Sequence, residues 1–188
     1  VLVREEAVFG QGHQCSIDGS LEIGSAENAV DIKVLEQNNT DTVRISLGAN
    51  SSDTTLNLTA GSIAGGLVSS LVGTDQPVSV LLDASGPGQE LDYQLTARAD
   101  TLLTANMKGA LNLSESQSGR YAIAAIGDIV LLEGLSDIQS SIGDTVSVDV
   151  NAEAAPDQIT LTIESIRTLL AAVSGDVIVN PSSDGLLE

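Results

Sequence analysis

Apolar and polar residues alternate along most of the chain in short runs separated by polar breaks. The pattern is strong in residues 30–34 and 43–47, and it returns in 78–84, 91–97, 146–150 and 159–163. Alternation with a period of two places every second side chain on one face of an extended strand. The sequence therefore predicts strands that each have one apolar and one solvated face.

Turn signals recur at short intervals between these runs. Asp18-Gly19, Gln37–Asp41, Asn50–Asp53 and Gly86-Pro87-Gly88 are rich in residues that favour turns. Strands separated by such turns every 8–12 residues are typical of an antiparallel meander. We expect about eleven strands in one mostly antiparallel sheet.

Two segments depart from the alternation and predict short helices. Ser62–Leu71 and Ser165–Val173 place apolar residues three and four positions apart, the spacing of a helix face. Gly65 and Gly66 weaken the first helix, because glycine has a low helix propensity.

The two segments also belong to an internal similarity. Residues 41–67 align without gaps on residues 144–170, each beginning Asp-Thr-Val. Matching positions include Ser62 with Ser165 and Leu67 with Leu170. Either strand-rich segments coincide by chance, or one sheet grows by similar increments. We interpret the chain as a single unit spanning residues 1–188.

The sequence has few of the large aromatic residues that usually fill the core beside a sheet. The chain has one Phe, two Tyr, no Trp and one Met, although 42% of its residues are hydrophobic. Inward Val, Leu, Ile and Ala leave volume that large aromatic residues would fill. The predicted fold is therefore all-β, an elongated curved sheet that forms an open apolar groove, with one or two short helices.

The alternation also predicts which side chains face this groove. The expected lining residues are Val78, Val80, Leu82, Leu91, Tyr93, Leu95, Val146, Val148, Val150, Ile159, Leu161 and Ile163. The alternate positions carry carboxylates, which we expect on the outer face: Glu22, Asp31, Asp83, Asp92 and Asp149. A slip of one residue would reverse both sets.

Charge excludes some classes of partner. Lys and Arg total 7 against 26 Asp and Glu, for a net charge of −19. Such a surface repels the phosphates of nucleic acids and the anionic surface of a bilayer. No apolar run approaches the roughly 18 residues that a membrane-spanning helix needs. The chain begins inside a strand-like segment, Val1–Phe9, as a processed or excised piece would.

The sequence offers no catalytic or metal chemistry. It contains none of the nucleophile, phosphate-loop or zinc motifs. Cys15 and His13 are the only cysteine and histidine, so they supply half a metal site at best. We predict no enzyme activity, no metal and no cofactor, and we interpret Cys15 as buried or incidental.

Several segments read together resemble a known family. A short Gly-containing helix precedes the strand and turn PVSVLLDASGPG, and the strand LDYQLTARAD follows. Then come MKGALNLSE, GRYAIAAIGDIVLLEGL and a DGLL ending. This order, from about Gly19 to Leu187, resembles the TamB-like members of the AsmA-like family of bacterial envelope proteins.

The resemblance implies a function as well as a fold. Members of this family form a long, apolar-lined β-groove that is tethered to the inner membrane and crosses the periplasm. They are associated with phospholipid transport to the outer membrane and, together with the outer-membrane barrel protein TamA, with assembly of outer-membrane proteins. The expected partners are thus phospholipid acyl chains and, through the full-length protein, TamA. This chain lacks the anchor and resembles an internal or C-terminal fragment.

Two other classes compete with this interpretation. An extracellular β-protein that self-assembles or acts as an adhesin would pair the strand-like Val1–Phe9 with a neighbour's sheet edge. A closed β-sandwich would pack its apolar faces on each other. The shape of the molecule distinguishes an open trough, a strand-exchanged polymer and a compact globule.

Overall fold

The computed structural model of the protein describes residues 2–9, 13–24, 27–36, 41–71, 73–113, 120–156 and 158–179. These residues form twelve strands and two short α-helices. The first half contains β1 (Leu2–Phe9), β2 (His13–Ile23), β3 (Glu27–Glu36), β4 (Thr42–Asn50), β5 (Asp53–Ser62), α1 (Leu67–Leu71) and β6 (Val78–Pro87). The second half contains β7 (Glu90–Ala99), β8 (Leu103–Asn112), β9 (Tyr121–Leu131), α2 (Ser136–Ile142), β10 (Thr145–Ala155), β11 (Gln158–Arg167) and β12 (Ala172–Val179).

The strands follow one another across a single sheet in the order of the sequence. Every neighbouring pair is antiparallel, and β1 and β12 lie at opposite ends. The prediction of an all-β, elongated, open antiparallel sheet is confirmed. A closed sandwich needs two sheets, whereas the described strands all belong to one, so that alternative was wrong.

The accessible surface agrees with an open architecture. It amounts to 11970 Å², against about 8,400 Å² for a compact monomer of this size. A large part of the surface is therefore not covered by other parts of the chain, and it includes exposed hydrophobic side chains such as Ile159 and Val177.

The helix prediction was partly right. Within Ser62–Leu71, Ser62 ends β5 and the helix occupies Leu67–Leu71. The helix predicted at Ser165–Val173 was wrong, because residues up to Arg167 belong to β11 and residues from Ala172 belong to β12.

A tight hairpin explains the wrong prediction. Ile166 in β11 is opposite Val173 in β12, and Leu169 and Leu170 are exposed in the turn between them. The three- and four-residue spacing of these apolar residues therefore comes from a hairpin and not from a helix face. The chain then turns at Thr168, whose hydroxyl accepts hydrogen bonds from the backbone N–H groups of Leu170 (3.3 Å) and Ala171 (3.1 Å).

The second helix lies elsewhere, between β9 and β10. A 3₁₀ turn at Glu133–Leu135 leads into α2. Asp137 lies in its first turn and Gly143 follows its last residue. These are ordinary signals for the start and the stop of a helix, and they were present in the sequence.

Candidate functional site: the apolar face

The twelve residues predicted to line a groove lie on one face of the sheet. Ladder pairing connects Val80 to Ala97, Leu82 to Leu95 and Ala84 to Tyr93. The same connection continues through β8 and β9 to β10 and β11, where Val150 is opposite Ile163 and Ala152 is opposite Leu161. We call this surface the apolar face.

Residues of the apolar face form continuous rows across the strands. One row contains Ile17, Val34, Val43, Ala60, Val80, Ala97, Ala105, Ile129 and Val146. The next contains Ile32, Ile45, Leu58, Leu82, Leu95, Met107, Gly127, Val148, Ile166 and Val173. No charged residue interrupts either row, so the aliphatic surface is continuous.

The sheet bends toward this face between β8 and β9. Gly109 and Gly127 belong to the apolar face, and a Cβ on either would overlap the backbone of the opposite strand, at Ala124 and Asn106 respectively. In a flat sheet a Cβ points away from neighbouring backbone, which lies almost 5 Å to the side. The neighbouring strand has therefore moved to the apolar side, and glycine permits the close approach.

The central part of the apolar face is filled. Leu91 is 1% exposed and Tyr93 6% exposed, and both pack with Ala84. The Tyr93 hydroxyl crosses Gly109 and donates a hydrogen bond to the Ala124 carbonyl at 2.9 Å. Burial raises the pKa of the Tyr93 phenol. Leu91 and Tyr93 were predicted to line an open groove. They are instead buried in the packed centre of the apolar face.

Helix α1 covers a second part of the same face. Val68 on the helix is buried against Ala60 and Val78, with Val43 and Val80 at the edge of the cluster. Val78 is therefore also withdrawn from the surface. The predicted residues Val80, Leu82 and Leu95 are half-buried around these two clusters.

The C-terminal part of the apolar face remains open. Ile159 is 42% exposed and Val177 is 46% exposed. Half-buried residues lie between them and β9, and they include the remaining predicted lining residues: Val146, Val148, Val150, Leu161 and Ile163. This open surface, formed by β9–β12, is the candidate site.

The opposite face carries the predicted carboxylates. Asp31, Asp83 and Asp149 lie in one row with Ser46, Asn57, Gln94 and Lys108, and this mostly polar row also contains the exposed Ile126. Glu22 and Asp92 lie on the same side in the next row. The sheet thus separates an aliphatic surface from an anionic one.

An ion pair on the polar face joins β3 to β4. Arg44 contacts the Asp31 carboxylate at 2.6 Å, and the Ser46 hydroxyl donates to the same oxygen at 3.0 Å. The hydrogen bond that Arg44 donates to Asp31 lowers the pKa of Asp31 and raises the pKa of Arg44. Both side chains are exposed, so the pair contributes little to stability.

A buried carboxylate that the sequence reasoning missed holds α1 in place. Asp41 is 1% exposed and accepts hydrogen bonds from the Ser62 hydroxyl (2.6 Å) and the backbone N–H groups of Val68 (3.0 Å) and Ile63 (3.2 Å). Ser69 adds a bond from its backbone N–H to the Ser62 hydroxyl at 3.2 Å. Within the described ranges, every buried side-chain nitrogen or oxygen has a partner. Asp41 is accordingly a structural residue.

Reactive groups do not converge on the apolar face. The described residues contain no group of three His, Cys, Asp or Glu side chains able to hold a metal ion. Cys15 is buried. The side chain of His13 lies outside the described part of the structure. The described apolar face supplies mainly apolar contact area.

Comparison with known proteins gives no match: no family model, no curated protein and no solved structure is similar to this chain. Among the described helices, none combines the length and hydrophobicity needed to cross a bilayer.

Proposed function

We propose that the open part of the apolar face binds phospholipid acyl chains and shields them from water. The observation that carries this proposal is the continuous aliphatic surface of β9–β12, which no other described element covers. Single exposed hydrophobic residues are ordinary, whereas a contiguous apolar patch points to a binding surface.

The dimensions of the surface suit a hydrocarbon chain. A ten-residue strand such as β11 spans about 33 Å. One acyl chain spans about half of the roughly 30 Å hydrocarbon core of a bilayer. The described residues of the site offer branched aliphatic side chains and no buried donor, which favours hydrocarbon over a polar ligand.

The proposed cellular setting is that of the TamB-like members of the AsmA-like family. In this setting the chain is a periplasmic part of a protein tethered to the inner membrane. It carries phospholipid toward the outer membrane or assists assembly of outer-membrane proteins with TamA. The resemblance of segment order supports the setting, and the open apolar sheet supports the lipid-binding part of it. No enzyme activity belongs to this proposal.

A photo-crosslinking experiment tests acyl-chain binding. A benzophenone amino acid is placed at Leu161 or Ile163 on the open apolar face, or at Thr162 between them on the polar face. After expression in a bacterial envelope, we expect lipid adducts by mass spectrometry at Leu161 and Ile163 and none at Thr162. Equal labelling at all three positions, or none at any, would contradict the proposal.

A second candidate function rests on the edge strand β12. Val177 and Ile178 are exposed on its two faces. No further described strand pairs with its outer edge. Such an edge favours addition of a strand from another copy, as in a self-assembling β-structural or adhesin protein. Sedimentation at increasing protein concentration separates the two: polymers support self-assembly, and a monomer that carries lipid supports the first proposal.

A further inference from the structure

A pocket of about 440 Å³ lies at one end of β4–β7, away from the open surface of β9–β12. Its wall includes Thr42, Gly61, Ser79 and Arg98, which are opposite one another in adjacent strands and form a single row. Their neighbours along each strand belong to the apolar face, so this row lies on the polar face. The sheet itself therefore separates the pocket from the proposed acyl-chain surface.

Gly61 leaves a gap in this row between two exposed hydroxyl side chains. Thr42 lies on one side of the glycine and Ser79 on the other. A Cβ built on Gly61 would meet nothing closer than the Thr42 Oγ1, at 4.0 Å, so the space above the glycine is open. Thr42 and Ser79 are two strand spacings apart, about 10 Å. A tetrahedral oxyanion that accepts a hydrogen bond of about 2.7 Å from each side fits this gap.

A guanidinium at the end of the row supplies positive charge. Arg98 is directly opposite Ser79, and Cβ atoms in such pairs are about 5 Å apart. The Arg98 side chain is exposed, and in the described part of the structure its terminal nitrogens form no hydrogen bond or ion pair. A guanidinium binds phosphate through paired, charge-assisted hydrogen bonds. The row thus offers two hydroxyl donors and one cation to a single ligand.

The residue that orients Arg98 has an uncommon backbone conformation. Asp100 has a φ of 25°, the one positive value among the described non-glycine residues. Its N–H donates a hydrogen bond to the Pro77 carbonyl at 3.1 Å, and its own carbonyl accepts one from the Arg98 Nε at 3.4 Å. Such conformations cost energy and concentrate at functional sites. The turn at Asp100 therefore directs the guanidinium toward the pocket.

We propose that this pocket binds the phosphate group of a small, soluble phosphate monoester. The phosphate lies above Gly61, between the hydroxyls of Thr42 and Ser79, and contacts the Arg98 guanidinium. The site is independent of acyl-chain binding, because it lies on the opposite face and on other strands. The net charge of −19 repels an anionic membrane surface, which favours a soluble phosphate over a lipid headgroup as the source of the group.

Titration of the intact chain with three phosphates tests this proposal. Amide resonances of Gly61 and Ser79 are followed by NMR during addition of inorganic phosphate, glycerol 3-phosphate or glycerophosphoglycerol, with sodium chloride at equal ionic strength as the reference. We expect saturable shifts with the first two and none with chloride. Glycerophosphoglycerol, the deacylated headgroup of phosphatidylglycerol, is a diester with one negative charge and should bind about tenfold more weakly, because fewer charge-assisted bonds form.

Matched variants assign the contacts. Arg98→Gln should weaken binding of glycerol 3-phosphate at least about tenfold, since it removes charge-assisted hydrogen bonds. Gly61→Val fills the gap with a side chain that suits a strand and should abolish binding. Asp100→Asn removes the second charge of the wall, tolerates the positive φ, and should strengthen binding about twofold.

Lys108→Gln, on the polar face outside the pocket, is the control and should leave the affinity unchanged. Circular dichroism verifies that each variant folds, and the exposed Arg98 decides the outcome if Gly61→Val does not. Absence of saturable shifts, or unchanged affinity in a folded Arg98→Gln or Gly61→Val variant, would overturn the proposal. Tighter binding of glycerophosphoglycerol than of glycerol 3-phosphate would overturn the assignment to a soluble monoester. None of these outcomes bears on acyl-chain binding at β9–β12.

Discussion

The two segments that share a sequence pattern, 41–67 and 144–170, end in different structures. In the first, β4 and β5 are followed by a turn that returns α1 onto the apolar face. In the second, β10 and β11 lead directly into β12, and the apolar face stays uncovered. Asp41 is buried in the first segment, whereas Asp144 is exposed in the second.

Two aligned positions account for the difference. Gly65 and Gly66 of the first segment correspond to Thr168 and Leu169 of the second. Gly65 adopts a left-handed conformation, with φ of 71°. A Cβ on Gly66 would overlap the Asp41 carboxylate and approach the Ser62 hydroxyl within 2.6 Å. A leucine in that place is incompatible with the Asp41 contacts.

The comparison relates a local turn to the exposure of a whole surface. Where Gly65 and Gly66 accompany the carboxylate and the serine, a helix closes over the sheet. The second segment keeps the aligned carboxylate Asp144 and serine Ser165 but has Thr168 and Leu169 in place of the glycines, and there the sheet continues as another strand. The proposed acyl-chain site is thus located where no described helix packs on the apolar face as α1 does in the first segment.

The largest expected effect is loss of the buried carboxylate. Asp41→Ala leaves the Ser62 hydroxyl and the N–H groups of Ile63 and Val68 without their acceptor. At about 1–3 kcal/mol for each unsatisfied buried group, partly relieved by water, we expect about 4 kcal/mol of destabilisation. Hydrogen exchange of β5 amides measures it. The matched Asp144→Ala should change stability by less than about 0.5 kcal/mol, and similar losses for both would refute the comparison.

The next largest effect is the difference in destabilisation between a substitution in the filled part of the apolar face and one in its open part. Leu91→Ala creates a cavity in the packed centre and should cost about 3 kcal/mol. Leu161→Ala, on the half-buried open part, should cost about 1 kcal/mol, since less area and no closed cavity are involved. Exchange of amides in each hairpin measures both. Equal costs would show that β9–β12 is covered in solution.

A smaller effect is expected at the glycine of the turn. Gly66→Ala forces Asp41 and Ser62 apart and should destabilise the α1 region by about 2 kcal/mol. Leu169→Ala changes the aligned position in the second segment, where the side chain is 79% exposed, and should cost less than about 0.5 kcal/mol. A neutral Gly66→Ala would mean that Asp41 does not hold the turn.

The smallest expected effect concerns the phenol that fills the centre. Tyr93→Phe removes the hydrogen bond to the Ala124 carbonyl and should cost about 1 kcal/mol. Burial raises the pKa of Tyr93, so the folded state favours the protonated phenol. Its contribution is complete below the unfolded pKa of about 10 and is lost as pH rises through the folded value. The thermal unfolding temperature should therefore fall more steeply above pH 10 in the original chain than in the Phe variant.

Much of the architecture was predictable from the sequence. The alternation in residues such as Val80, Leu82 and Leu95 specified both the strands and their shared face, because the period of two leaves one possible register once a face is apolar. Which of these residues are covered was not predictable. Burial of Leu91 and Tyr93 depends on the bend between β8 and β9, which involves contacts across strands.

The helices show the same division between local and tertiary causes. Helix propensity disfavours Gly65 and Gly66 and ranks Ser165–Val173 above Ser62–Leu71. The opposite outcome arises because contacts with Asp41, distant in sequence, stabilise the glycine turn. In Ser165–Val173, Ile166 and Val173 are opposite each other across a hairpin whose turn contains Leu169 and Leu170. Such a turn produces a helix-like spacing that a single sequence does not distinguish.

The order of the strands has a consequence for folding. Each strand pairs only with those that precede and follow it, so the sheet is a linear series of hairpins. Stability in such a series is approximately a sum over units and the interfaces between neighbours. Folding starts at any hairpin and spreads outward, and local opening begins at the ends, as in other architectures dominated by short-range contacts. This molecule therefore behaves as a one-dimensional chain of cooperative units, and damage to one hairpin remains largely within its neighbours.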